Sequence, residues 1–280
     1  MTSSSKQAQD RSNFITRAIT ALIGAPIILI LTYLGGIPFL MAGLAMAVLS
    51  VLEFCALGND RHIPGNIYVG LPGSVILVLL VASHQPILAL LTIVVVGVAA
   101  LLWDMLRATA EKRLQRVGMT LAALIYSAMP AAFIILIRAL PDGLLWMFLI
   151  FALTWGTDTF AYMGGRLWGN HLLAPTISPK KTVEGAVVGV IGGFILGLLT
   201  IIASQKITAI MVILVLVAPP LAVVGDLFES RLKRYFHVGD SHLNGLNIIP
   251  GHGGVLDRTD ALIWVTTLFY LYFLLSGAGV

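Results

Sequence analysis

Two pairs of carboxylates stand in a chain that otherwise avoids charge. Asp226 and Glu229, with Ser230 and Lys233, follow the spacing i, i+3, i+4, i+7, which places all four side chains on one face of a helix. Asp257 and Asp260, three apart, share one face of the next helical stretch. Immediately before them runs Pro250-Gly251-His252-Gly253-Gly254. Glycines that open a helix expose backbone N–H groups, and the helix N-terminus carries partial positive charge, so this run predicts a phosphate-binding turn. A short connection brings the two carboxylate pairs together. Four carboxylates beside exposed N–H groups suit Mg²⁺ bridging a polyphosphate, because Mg²⁺ takes one or two carboxylates and completes its shell with phosphate oxygens and water. Each piece also has a plainer reading: solvated charges on an amphipathic helix extension, or aspartates favoured by a helix dipole.

Two further elements carry polar groups. In Ser178-Pro179-Lys180-Lys181-Thr182, Ser178 suits the N-cap of a helix and Pro179 its first position. Lys180 and Lys181 then fall in a first turn, where the dipole disfavours cations, which points to a bound anion; the alternative is a pair of ordinary topology-setting lysines. Asp158, after Thr154-Trp155-Gly156-Thr157, is suited equally to ligating a cation or pairing with a lysine. His237, His242 and His252 are spaced by five and ten residues, which matches no zinc motif.

The elements that must hold these residues are membrane spans. The 280 residues are 58% hydrophobic and 11% charged, against about 25% charged in a soluble domain, and the mean hydropathy is +0.96. A bilayer crossing takes about 20 apolar residues. By that measure there are nine spans: 14–34, 37–57, 67–84, 86–103, 117–139, 143–163, 182–203, 207–234 and 255–277. The third and fourth are short and divided at Gln85-Pro86, and Pro219-Pro220 predicts a kink in the eighth. The polar N-terminus has no cleavage signal after a short apolar region, so 14–34 reads as a retained span. With nine spans, 15 of the 17 Lys and Arg residues fall on one side, leaving Arg138 and Lys206 on the other. That split predicts a cytoplasmic N-terminus and places Asp158, Lys180 and the 226–260 segment on the cytoplasmic side. The net charge of +4 belongs to this pattern, and nucleic acid is not an expected partner. Cys55 has no second cysteine to pair with and reads as a small packed hydrophobe. Gly185, Gly189, Gly193 and Gly197 form one smooth helical face for close packing. An internal partner is the expected one, a homodimer the other.

In this order and at these positions, SPKKTVEG, GDLFESRLKR and PGHGGVLDRTD resemble the phosphatidate cytidylyltransferases (CDP-diacylglycerol synthases). The residues that carry the resemblance are Ser230, Lys233, Arg234, Asp240, His252, Gly253, Gly254, Asp257, Arg258 and Asp260. It covers the chain from Asp158 onward, whereas the first half matches only as apolar helices. Two departures stand inside it. Gly239 occupies the place of a family lysine, and the interval from Asp240 to His252 is longer than usual.

The resemblance implies a cytidylyl transfer from CTP to phosphatidate in a bacterial plasma (inner) membrane, giving CDP-diacylglycerol and pyrophosphate. It implies Asp226, Asp257 and Asp260 as leading Mg²⁺ ligands, with Glu229 and Asp158 behind them and room for a second cation. Lys180, Lys181, Lys233, Arg234 and Arg258 would hold phosphates, with Ser178, Ser230, Asp240, His252, Gly253 and Gly254 lining the substrate site. The expected architecture is an all-α polytopic bundle, with 1–140 as a helical frame and 141–280 as the catalytic region. Three other readings stay open: an anion or lipid-phosphate transporter, a related polyprenol kinase, or a paralogue weakened at Gly239. A transporter should show an internal repeat and a site open to both faces. Neither is legible in the chain.

Overall fold

A computed structural model of the protein describes residues 20, 22–107, 110–239 and 253–277. Among these residues there are nine helices and one small hairpin. Helix α1 spans Leu22–Leu34, α2 Gly36–Leu57, α3 Ile67–Ala82 and α4 Pro86–Arg107. Helix α5 spans Arg113–Ala139, with a π turn at Leu124–Ala128, and α6 spans Gly143–Trp168. Strands β1, Leu172–Ala174, and β2, Ser178–Thr182, follow as an antiparallel pair. Helices α7, Val183–Ala203, α8, Ala209–Tyr235, and α9, Leu256–Leu275, complete the chain.

Helices α2, α4, α5, α6, α7 and α8 are long and apolar enough to cross a membrane, while α1 and α3 are apolar but shorter over their described residues. The fourth span is therefore a full 22 residues rather than the short one expected. Asn66 starts α3 by accepting the N–H groups of Tyr68 and Val69 at 3.0 and 3.3 Å. Pro86 opens α4 after a turn in which His84 takes φ 55°. Helix α8 runs through Pro219 and Pro220. Ile87, Leu90, Val94 and Val98 leave a row of exposed apolar side chains along α4. Such a surface is stable against hydrocarbon and not against water.

Polar contacts between the connections gather at two ends. At one end Lys206 pairs with Asp142 at 2.5 Å, and Arg138 donates to the carbonyls of Thr32 and Tyr33 at 2.6 and 3.0 Å. At the other, Lys112 donates to the Arg61 carbonyl at 3.0 Å. The Arg61 guanidinium lies 4.1 Å from the centre of the Tyr235 ring and 3.1 Å from His237 Nε2. The candidate site lies at this second end.

The hairpin corrects one expectation. Ser178 does not cap α7, and Pro179, Lys180 and Lys181 do not form its first turn. All four lie in β2. Proline pushes the residue before it toward extended backbone, and Thr182 is the true cap, its Oγ1 accepting the Gly185 N–H at 3.2 Å. The mismatch between lysines and a helix dipole therefore disappears as evidence. Glu184 closes the hairpin from α7. Its carboxylate accepts the N–H groups of Asn170 and His171 at 3.1 and 3.2 Å and meets His171 Nδ1 at 2.5 Å.

The glycine stripe is occupied within the chain. A Cβ at Gly189 would lie 2.7 Å from both the Thr157 carbonyl oxygen and the Ala161 Cβ, and one at Gly185 would lie 2.8 Å from the Ala161 carbonyl oxygen. Gly197 faces Leu153 and Val215. The stripe lets α7 lie directly on the backbone of α6, which fixes the hairpin between them.

Candidate active site

The site forms where the end of α6, the hairpin, the end of α8 and the start of α9 meet. Gly225 brings α8 against α9: a Cβ there would lie 2.6 Å from Trp264 Cδ1 and 3.0 Å from the Asp260 carbonyl oxygen. The face read from the spacing 226, 229, 230, 233 is real. Glu229 and Ser230 are buried, and Asp226 and Lys233 half-buried.

Two charged groups result. In the first, Asp158, Asp226 and Asp260 lie within electrostatic reach of one another, with Lys181 and Arg258 facing Asp158. Lys181 forms an ion pair with Asp226. Asp260 is buried and Asp158 is exposed. In the second, Lys233 Nζ lies 2.6 Å from Asp257 Oδ1 and 3.4 Å from Glu229 Oε2. Asp257 Oδ2 accepts the Gly254 N–H at 2.9 Å. Glu229 adjoins both groups, since Asp260 and Asp257 both interact with it. Gly253 has φ 73°, and the Asp257 carboxylate occupies the place a Cβ would take, so glycine is required there on two counts.

The predicted phosphate turn is changed in substance. The Gly254 N–H goes to Asp257, and the N–H groups of Val255 and Leu256 go to Glu53 Oε1 and Oε2 at 2.8 and 2.7 Å. The first N–H groups of α9 are thus taken by the protein's own carboxylates. Lys180 is exposed on β2 beside the paired Lys181. Arg234 is exposed and donates to the Ile177 carbonyl at 3.2 Å, tying the end of α8 to the hairpin. Ser178 is half-buried in the same strand. Asp240, His252 and the loop between them lie outside the described residues. Gly239 is exposed, with open space where its Cβ would be.

No three His, Cys, Asp or Glu side chains among the described residues stand together as a ready metal cage. The donor chemistry nevertheless fits a hard cation. Carboxylates from α6, α8 and α9 lie within electrostatic reach of one another, with the buried Glu229 beside Asp257 and Asp260.

Sequence reasoning passed over two residues here. Glu53, fully buried in α2, is the only charged residue of Gly36–Leu57, and a lone carboxylate in an apolar span was the available signal. Tyr126, on the π turn, joins Phe54, Phe228 and Trp264 in an aromatic row with ring centres 5.7, 5.5 and 5.4 Å apart. No spacing in the sequence announces that turn.

The family model described as the cytidylyltransferase family matches residues 15–276. A phosphatidate cytidylyltransferase of Brucella abortus biovar 1 (strain 9-941) is 32% identical over 264 residues, 93% of this chain and 93% of its own. That of Bacillus subtilis (strain 168) is 32% identical over 272 residues, 93% of this chain and 97% of its own. That of Staphylococcus saprophyticus is 41% identical over 138 residues, about half of each chain.

Proposed function

Because the chain belongs to the cytidylyltransferase family, we propose that it transfers the cytidylyl group of CTP to phosphatidate, giving CDP-diacylglycerol and pyrophosphate. The observation that carries this reading is the meeting of Asp158, Asp226 and Asp260 with Lys181 and Arg258, from three helices and a hairpin, in a multi-pass membrane chain.

An oxygen of the lipid phosphate attacks the α-phosphorus of CTP. A new P–O bond forms there, the bond to the β-phosphate oxygen breaks, and pyrophosphate leaves. The second ionisation of a phosphate monoester lies near pH 6, so the nucleophile is already ionised at neutral pH and needs no general base. The protein's task is to bring two anions together and neutralise them. Lys180, Lys181, Lys233, Arg234 and Arg258 hold phosphates, with Ser178, Ser230, Asp240, His252, Gly253 and Gly254 beside them. Asp226, Asp260 and Asp158 are the foremost cation holders, with Glu229 and Asp257 adjoining. Mg²⁺, when bound, supplies charge neutralisation at the phosphates, and a second cation would serve the same end. Val224 and Phe228, exposed beside Asp226, offer apolar surface for acyl chains. The catalytic region is 141–280, framed by 1–140. The positive-inside pattern supports a site open to the cytoplasm in a bacterial plasma membrane.

Purified protein in detergent micelles, given phosphatidate, Mg²⁺ and each of the four ribonucleoside triphosphates in turn, is expected to form a CDP-lipid with CTP. Folded protein that forms none sinks the proposal. Asp260→Asn is expected to abolish that product while the protein still purifies as a folded species.

A further inference from the structure

Glu53 is the least expected charge in the molecule. It sits in α2, its residue exposure is 0%, and it is separated by about 200 residues from the groups it binds. Both carboxylate oxygens are used, at 2.8 Å to the Val255 N–H and 2.7 Å to the Leu256 N–H. Such short, charge-assisted bonds are roughly twice as strong as neutral ones. A buried carboxylate is costly unless it is hydrogen-bonded, so the position of the partner is strongly specified. Helix α9 has no cap of its own: Val255 at the N-cap makes no side-chain capping bond. A local Ser or Asp would satisfy the same need at less cost. What a local cap cannot do is fix α9 to another helix.

From this geometry we infer that Glu53 is a positioning residue for the transfer reaction: it locks the first turn of α9 onto α2 and thereby sets where Asp257 and Asp260 stand. The inference rests on the functional reading above. Asp257 is one residue beyond the clamped Leu256, and its carboxylate bridges the Gly254 N–H and Lys233 Nζ. Asp260 follows three residues later, within electrostatic reach of Asp226 and Asp158. A rotation or slide of the first turn moves both carboxylates together, away from partners that α6 and α8 hold in place. The carboxylate also fills the N–H groups that would otherwise capture a phosphate, so substrate phosphates are directed to the lysines and arginines. A helix end with open N–H groups is a ready anion site.

Glu53→Gln keeps the size but offers one acceptor oxygen in place of two and turns an NH₂ group toward a backbone N–H. Hydrogen exchange of a peptide covering 253–262, in detergent micelles, should be at least tenfold faster in the variant. Turnover should fall about 10- to 100-fold, the scale of a misplacement near 1 Å, with the KM for CTP within threefold of wild type. The Mg²⁺ concentration giving half-maximal rate should rise, and the increase in apparent Tm that Mg²⁺ without CTP gives the wild type should shrink. A second variant separates positioning from stability. Glu53→Gln combined with Val255→Asp supplies a local cap to α9 without restoring the tie to α2. Recovered thermal stability with turnover still depressed is the expected result. Turnover that returns with stability overturns the inference, as does Glu53→Gln turnover within twofold of wild type or exchange that does not change. A wild-type protein inert toward CTP and phosphatidate would remove the functional reading alone, because the exchange contrast is read without turnover.

Discussion

Lys233 stands between Asp257 Oδ1 at 2.6 Å and Glu229 Oε2 at 3.4 Å, and its removal should be costly. The side chains are 12% exposed for Lys233, 6% for Asp257 and 1% for Glu229, so solvent and salt screen the group little. Lys233→Met keeps the apolar stem and deletes the charge, leaving two buried carboxylates facing each other. Breaking a buried pair by removing one partner costs about 3–5 kcal/mol. At roughly 2–4 °C per kcal/mol for a chain of this size class, the apparent Tm should fall by about 6–20 °C. Tryptophan fluorescence during heating in detergent micelles, without substrate, reads this independently of activity. Asp257→Asn should partly relieve the deficit, so that the double variant is less destabilised than the sum of the singles. A fall in Tm of less than about 2 °C for Lys233→Met, or strict additivity with Asp257→Asn, would refute the claim that these charges are buried together.

Other expectations follow from the same geometry. Gly189→Val would drive side-chain atoms into the Thr157 carbonyl and Ala161, each already 2.7 Å from an ideal Cβ, and should destabilise by about 1–3 kcal/mol or more, read as a lower apparent Tm. Lys181→Ala removes a pair whose side chains are both 29% exposed, so stability should change by no more than about 1 kcal/mol while initial rates fall at least tenfold. Rates within twofold of wild type would take Lys181 out of the phosphate-holding set. Gly239→Lys meets open space and should leave Tm unchanged. One added charged contact of about 1.5 kcal/mol would lower the KM for CTP about tenfold, as measured by steady-state kinetics.

The helices were legible because each crossing needs an unbroken apolar run, and the breaks at Gln85-Pro86, 140–142 and 204–208 are short and carry proline or polar residues. The convergence of α8 and α9 was legible too, since four carboxylates at helical spacing have one arrangement that brings them together. The hairpin was not. Ser178-Pro179 satisfies the rule for a helix start as well as it does an extended strand, and the tie from Glu184 back to Asn170 and His171 decides between them only in three dimensions. Glycines before α9 marked a helix start, but the N–H groups described there are taken by carboxylates that could not be read from the sequence. One is Asp257, three residues beyond Gly254, and the other is Glu53 in α2. Pairings such as Lys181 with Asp226 likewise depend on how closely α7 settles on α6, which the glycine stripe permits without specifying its partner.

The central claim is transfer to the α-phosphorus of CTP, and the position of the label decides it. Protein in phosphatidate-containing micelles with Mg²⁺ would be given CTP labelled at the α-phosphate in one reaction and at the γ-phosphate in another. The account predicts that the α label enters the lipid product while the γ label is released as pyrophosphate, in equal amounts. Entry of the γ label into lipid, or release of γ label with none of the α label in lipid, would contradict it.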